Sequence, residues 1–234
     1  MSTMYRLLLG NLATRARLLG LAALGAVGVV LGLIIGQSDA VEPVYDGTRL
    51  IDLFGLQLFA PVVALVFASA VLGDPHTEGS LIYLWLRPVR RSTIALAGYA
   101  AALTVIVPLV VVPLTLAAVL VGGGGELVQG TIAASLIAVI AYTAIFLALG
   151  LRAERALAWG LGYLLIWEGF VANAGRGASR YAIRAYTQSL LTDATSIDLR
   201  LSGLSPTTSI VVPVIVAIVA LVYVNRRLQT MDVA

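Results

Sequence analysis

The side chain with the clearest potential for chemistry is Glu168, the one carboxylate that lies well within a long apolar run. An ionisable group at membrane depth is a functional candidate, because a charge in hydrocarbon is costly and is kept where it serves a task. Glu168 therefore fits the proton site of a proton-coupled secondary carrier. It fits equally well a structural carboxylate that lies just under the outer membrane surface and is wetted.

Covalent and metal-dependent catalysis lack the residues that they need. The chain has no cysteine, no lysine and a single histidine, His76. A serine nucleophile needs a paired base and a metal hydrolase needs a His/Glu cluster, so an intramembrane enzyme is the weakest hypothesis. The run Gly122–Gly125 predicts a turn, because no Lys-Ser/Thr pair of a phosphate-binding loop follows it. We therefore predict no catalytic residue, no metal and no cofactor bound by this chain.

The composition is that of an integral membrane protein. Of 234 residues, 60% are apolar and 12% are charged, and the mean hydropathy is +0.99. Several apolar runs reach the length of about 18 residues or more at which a transmembrane helix is expected. We predict one all-α transmembrane domain over residues 1–234, with almost no mass outside the membrane.

The apolar runs predict six transmembrane helices. An interfacial helix over residues 1–17, with arginines among leucines, precedes them. Asp52, at the outer end of the second span, is expected to be hydrated, and Pro108 and Pro113 are expected to kink the third. The predicted spans are 18–36, 53–72, 93–121, 131–151, 156–174 and 208–224.

The distribution of arginine predicts the orientation. Cytoplasmic loops carry an excess of Lys and Arg, and one orientation of the six spans places ten arginines on one side and five on the other. With the ten inside, both termini are cytoplasmic. The ten are Arg6, Arg15, Arg17, Arg87, Arg90, Arg91, Arg152, Arg155, Arg226 and Arg227.

The charged stretch Gly73–Arg91 separates the second and third spans. Asp74 or Thr77 is suited to cap a helix start, and acidic residues at its front and arginines at its back match a helix dipole. Leu81, Leu84 and Trp85 recur at helical spacing. The pattern predicts a short amphipathic helix on the cytoplasmic membrane surface. The plainer alternative is a basic loop that only fixes topology.

This stretch resembles the first cytoplasmic loop of type-2 ABC exporter permeases. The resemblance lies in Glu78-Gly79-Ser80-Leu81, then Leu84 and Leu86, then Arg87-Pro88-Val89-Arg90-Arg91. In that family a Glu-x-Gly-Ser/Thr-Leu element and a later Pro-x-Ser/Thr-Arg form a coupling helix that docks on the ATPase subunit. Here Arg90 replaces the usual Ser or Thr, and Thr77 replaces a second acidic residue.

The resemblance implies partners and contact residues. It implies a separate ABC ATPase subunit, which would bind the ATP and Mg, and a second permease subunit in a homodimer or heterodimer. It also implies re-entrant helices between the last two spans. The residues expected to couple to the ATPase are Asp74, Glu78, Gly79, Ser80, Leu81, Leu84, Trp85, Arg87 and Arg91.

Two further groups of residues are candidates. Gly28, Gly32 and Gly36 share one face of the first span and allow close approach of another helix, either within the chain or at a dimer seam. The external loop 173–207 predicts an amphipathic helix that lies at the interface or dips into the membrane. Its arginines and the nearby carboxylate are candidates for a pathway or vestibule: Glu168, Arg176, Arg180 and Arg184.

Three functions are compatible with the chain, and one accounts for more of it. A permease subunit of an ATP-driven exporter explains the central stretch, the six spans and the outer loop together. A secondary carrier explains only Glu168, and an enzyme explains none of these features. We therefore expect an exporter subunit in a prokaryotic plasma membrane that contacts lipid and no nucleic acid. The composition favours no particular substrate.

Overall fold

The computed structural model of the chain contains helices and no strands among the residues that it describes. Those residues are 5, 9–10, 12, 14–38, 42–77, 91–153, 155–170, 172 and 176–230, without the side chains of 74–77 and 176–177. The described helices are α1 (Arg15–Gln37), α2 (Pro43–Leu50), π1 (Ile51–Phe59), α3 (Ala60–Thr77), α4 (Arg91–Val121), α5 (Gly124–Arg152), α6 (Ala156–Gly162), π2 (Tyr163–Glu168), α7 (Arg176–Ser179), α8 (Ile183–Thr195) and α9 (Pro206–Thr230).

Five of the described helical segments are long and apolar enough to cross a membrane. They contain 23 to 31 residues each, whereas about 20 residues suffice to span the hydrocarbon core. The five correspond to the first, second, third, fourth and sixth predicted spans. They are α1, the continuous segment Pro43–Gly73, α4, α5 and α9.

The segment predicted as the fifth span, 156–174, differs from the prediction. α6 and π2 together form an apolar helix that ends at Glu168 and falls short of the length of the other five. At 1.5 Å per residue such a helix is about 20 Å long, which is less than the hydrocarbon thickness. The chain leaves the helix for a turn at Gly169 and Phe170. The Glu168 side chain bonds the start of another helix, as described below.

The predicted outer loop folds back into the bundle. α8 packs against α5 and α9, and its residues from Ile183 to Leu191 are all buried. The predicted amphipathic helix is interrupted between Ser179 and Ile183, so Arg176 and Arg180 lie outside the helix that contains Arg184. α8 has no exposed polar face over this length, so it dips into the bundle rather than lying on its surface.

The second span begins earlier and ends later than predicted. Its helix starts at Pro43, with a proline at the first turn, and continues through π1 to Thr77. Asp74 and Thr77 therefore lie in the last turns of a helix and do not cap the start of one. The segment between the first two predicted spans is thus helical from Pro43.

The glycine face of α1 packs against α4 of the same chain. A Cβ atom at Gly32 would lie 2.7 Å from the Ala117 carbonyl oxygen, and one at Gly36 would collide with that of Leu120. Gly28 lies against the Phe54 ring. In the structure this face therefore contacts helices of the same chain, and its use as a dimer seam stays a prediction.

The helix α5 packs against four other helices, α3, α4, α8 and α9. Gly73 near the end of α3 lies beside Gly150 near the end of α5. α4 begins at Arg91, and Arg152 ends α5. We call the end of the bundle that contains Gly73, Arg91, Gly150 and Arg152 its basic end. Between α4 and α5 the chain turns at Gly122 and Gly124, whose φ angles are +78° and +76°, which confirms the predicted turn.

Of the predicted interfacial helix, only part is described. The Tyr5 hydroxyl donates to Thr104 Oγ1 in α4 at 2.9 Å, and Leu12 is buried. The segment before α1 therefore contacts the bundle at these two residues.

Candidate functional site

A group of polar side chains is buried where π1, α5, π2 and α8 meet. Its members come from segments far apart in sequence, and each is at least nine-tenths buried except Tyr163, which is partly exposed. We call it the buried polar cluster. It consists of Asp52, Tyr142, Tyr163, Glu168, Arg184 and Gln188.

Glu168 caps the start of α8. Its Oε1 accepts hydrogen bonds from the Tyr163 hydroxyl at 2.9 Å and from the Ile183 amide at 3.1 Å. Its Oε2 accepts one from the Arg184 amide at 3.2 Å, and the Tyr142 hydroxyl also faces the carboxylate. The first amides of a helix have no partner within the helix, and the residue before α8, Ala182, has no side chain that could cap them.

The cap is favourable for two reasons. A carboxylate satisfies amides that would otherwise be unpaired in an apolar surrounding. Its negative charge also lies at the positive end of the helix dipole. Glu168 is only 3% exposed, so the wetted structural carboxylate considered from the sequence does not describe it. In this structure the carboxylate caps α8 within the bundle.

Asp52 and Arg184 form a buried ion pair. Arg184 Nη2 lies 3.2 Å from Asp52 Oδ2, and both side chains are 7% exposed. Gln188, one turn further along α8, donates from Nε2 to Asp52 Oδ1 at 2.6 Å. The expectation that Asp52 is hydrated is wrong, because α8 covers it and supplies both of these donors.

Gln188 also orders the chain that follows α8. Its Oε1 accepts a hydrogen bond from the Leu201 amide at 2.9 Å. One residue along, Ser189 Oγ accepts from the Leu204 amide at 3.3 Å. The connection to α9 is thus held against α8, and the amide of Gln188 joins this connection to the second span.

The structure brings together only part of the predicted vestibule. Glu168 and Arg184 both belong to the buried polar cluster, linked through the Arg184 backbone amide. Arg180 is exposed between α7 and α8, and of Arg176 only the helical backbone is described. Glu168, Arg180 and Arg184 therefore do not line one surface.

Four members of the cluster were not predicted as partners of Glu168. Tyr142 and Tyr163 lie within apolar spans, where tyrosine is common, and Gln188 carries no charge. A signal did exist for Asp52 and Arg184, since opposite charges next to apolar segments favour pairing in a membrane. It did not reveal which of several arginines was the partner.

The carboxylates of the cluster are engaged in bonds that hold helices together. Both oxygens of Glu168 and both of Asp52 accept hydrogen bonds from protein donors. Within the described part of the chain, no three His, Cys, Asp or Glu side chains are grouped so that they could hold a metal ion. The arrangement holds α8 against the second span, α5 and π2.

The predicted coupling residues fall largely outside the described part of the chain. Residues 78–90 are not described, so the amphipathic helix and its contacts stay a prediction. Its two flanks are described. Gly73 packs closely on Gly150, with a Cβ at Gly73 only 3.1 Å from the Gly150 carbonyl oxygen, and α4 begins at Arg91.

Comparison with known proteins places these observations in a family. The family model described as ABC-2 family transporter protein matches residues 15–162, which contain α1 to α6 and the whole stretch 73–91. No curated protein and no solved structure matches the chain significantly. The match covers more than half of the sequence and agrees with the five apolar helices, so the chain is a multi-pass membrane protein that belongs to the ABC-2 transporter family.

Proposed function

We propose that the chain is the membrane-spanning permease subunit of an ATP-driven ABC exporter. It would form the translocation path as a dimer and couple to a separate ATPase subunit through residues 73–91. The observation that carries the proposal is the family match over residues 15–162, which includes this stretch. ATP and Mg would be bound by the partner, and this chain would have no catalytic residue.

The flanks of the stretch are suited to transmit force. α3 and α4 lead directly into it, and the contact of Gly73 with Gly150 ties α3 to α5 without intervening side chains. α5 also packs along α8 and carries Tyr142 of the buried polar cluster. Movement at the basic end would therefore reach α8 through α5.

The basic end would face the cytoplasm, because the excess of arginine lies there. Within the stretch, Glu78 would anchor the helix start and Gly79 would allow another backbone to approach. Leu81, Leu84 and Trp85 would fill a groove on the ATPase. Arg87 and Arg91 would face acidic groups or lipid phosphates at the end of the helix.

The proposal is tested with purified chain and its ATPase subunit in liposomes. Alone, the chain should hydrolyse no ATP. Leu84→Pro should abolish the stimulation of ATPase activity and transport, because proline breaks a helix interior at a cost of about 3 kcal/mol. Leu84→Ala is the matched control, since it removes the same side chain but keeps the helix.

Glu78→Ala should also uncouple hydrolysis from transport while the protein still inserts. If Leu84→Pro binds and stimulates the ATPase as well as the wild type does, the stretch is only a topology loop and the coupling proposal fails.

A further inference from the structure

A groove of about 580 Å³ lies at the basic end between α5, the helix α6–π2 and α9. One wall is apolar and comes from Ile145, Ala148 and Leu149 of α5. Trp159 and Tyr163 form the opposite wall. The volume is in the range of sites that hold small organic ligands.

Two polar residues that line the groove lie close to each other. They are Arg152 and Tyr223, and Arg152 Nη1 lies 3.5 Å from the Tyr223 hydroxyl. Arg152 is exposed, and it forms no ion pair with a carboxylate within the described ranges. A guanidinium group has five N–H donors and favours phosphate oxygens, so most of its donors remain for a ligand.

This combination defines the chemistry of a ligand. A cation at the end of a transmembrane helix, without a carboxylate partner among the described residues, selects an anionic headgroup. The apolar wall beside it selects a hydrocarbon chain. Trp159, which is 68% exposed, supplies an aromatic edge of the kind that lies at membrane interfaces. A zwitterionic headgroup would bring its own cation towards Arg152 and should bind less well.

We propose that this groove binds an acidic phospholipid from the membrane leaflet at the basic end. Its phosphate group contacts Arg152 and the Tyr223 hydroxyl, and one acyl chain lies along Ala148 and Leu149. The site goes beyond the proposed exporter function and does not depend on an ATPase partner. The site adjoins the buried polar cluster, because Tyr163 lines the groove and its hydroxyl donates to Glu168.

Trp159 provides a direct reporter of occupancy. The chain has three tryptophans, so Trp85→Phe with Trp167→Phe leaves Trp159 alone. The purified full chain is reconstituted in phosphatidylcholine that contains a minor fraction of one brominated lipid. That lipid is either phosphatidylglycerol or phosphatidylcholine, in each case with bromine on the acyl chain. Bromine quenches tryptophan fluorescence only on close approach.

Half-maximal quenching of Trp159 should occur at a mole fraction of brominated phosphatidylglycerol about fivefold lower than that of brominated phosphatidylcholine. This is the factor expected from one arginine beside an anionic lipid, about 1 kcal/mol. Arg152→Gln should remove the difference. Arg155→Gln is the matched control, because Arg155 lies near the same membrane surface but does not line the groove.

A second variant tests the acyl chain separately from the charge. Ala148→Phe fills the apolar wall and should weaken quenching by brominated phosphatidylglycerol while Arg152 is intact. The proposal is overturned if the two lipids quench equally, if Arg155→Gln acts as strongly as Arg152→Gln, or if Ala148→Phe has no effect. If a second copy of the chain closes the groove, neither brominated lipid should quench Trp159, and Ala148→Phe should have no effect on the quenching.

Discussion

The contact of α1 with α4 and the contact of α8 with the rest of the bundle are built in opposite ways. α1 packs through glycines, so that its backbone meets the backbone of α4 at Ala117 and Leu120. α8 is held by an ion pair, a carboxylate cap and an amide bridge. The first contact depends on the absence of side chains, and the second depends on particular ones.

The difference teaches how each contact responds to change. A backbone-to-backbone seam has no group that can move aside, so an added side chain displaces the whole helix. A polar cluster has discrete bonds, each of which can be removed or replaced by groups of matching shape. We therefore expect that a different set of side chains can also hold α8 in place. No such replacement should restore a disturbed contact between α1 and α4.

The largest effect is expected when the ion pair loses one partner. Asp52→Ala leaves the Arg184 guanidinium buried without its carboxylate, and removal of one partner of a buried pair costs about 3–5 kcal/mol. The thermal midpoint in detergent should fall clearly. It is measured as the temperature at which the monodisperse peak in size-exclusion chromatography is lost. Asp46→Ala, an acidic residue of α2 outside the cluster, is the control and should have little effect.

The same pair offers a rescue that sharpens the comparison. Asp52→Leu combined with Arg184→Met removes both charges and keeps apolar volume, a replacement that is often neutral or stabilising. The double variant should recover most of the midpoint lost by Asp52→Ala. If it is as unstable as the single variant, the ion pair is not what makes Asp52 important.

A somewhat smaller effect is expected at the seam, and no rescue should be possible. Gly32→Leu places a side chain where even a Cβ would lie 2.7 Å from the Ala117 carbonyl oxygen, and overpacking of this kind costs about 1–3 kcal/mol. Gly20→Leu on the same helix is the matched control, because nothing lies within 4 Å of a Cβ at that position. The thermal midpoint should fall only for Gly32→Leu. A variant that keeps its midpoint but loses dimer would instead place this face at the subunit seam.

Much of the fold could be predicted from hydrophobic runs, and the exceptions have physical causes. Five spans could be located because each is an apolar run of sufficient length. The fifth predicted span is shorter than predicted, and its last helical residue, Glu168, bonds the amides of Ile183 and Arg184. No local pattern encodes a cap supplied by a residue so far along the chain. The burial of Asp52 could not be predicted for the same reason, since α8 produces it.

The glycines of α1 show the limit in another form. Their spacing predicted a close helix contact, and the structure contains one. The identity of the partner could not be predicted, because a small-residue face fits any smooth helix. Only the packing of Gly32 and Gly36 against α4 selects the partner within the chain.

The smallest effect is expected at Glu168, and it separates a structural carboxylate from a transport site. Glu168→Gln removes the charge but keeps an oxygen that can accept from the Ile183 or Arg184 amide, so the loss of stability should lie near the lower end of the 0.5–2 kcal/mol typical of a lost helix cap. Glu168→Ala removes all acceptors and should lower the thermal midpoint further. Because both oxygens are engaged by protein donors, transport by the wild type and by Glu168→Gln should continue when the proton gradient is collapsed at constant ATP. Wild-type transport that stops with the gradient would instead make Glu168 the proton site of a secondary carrier, and the buried cap would then be the state that proton binding has to open.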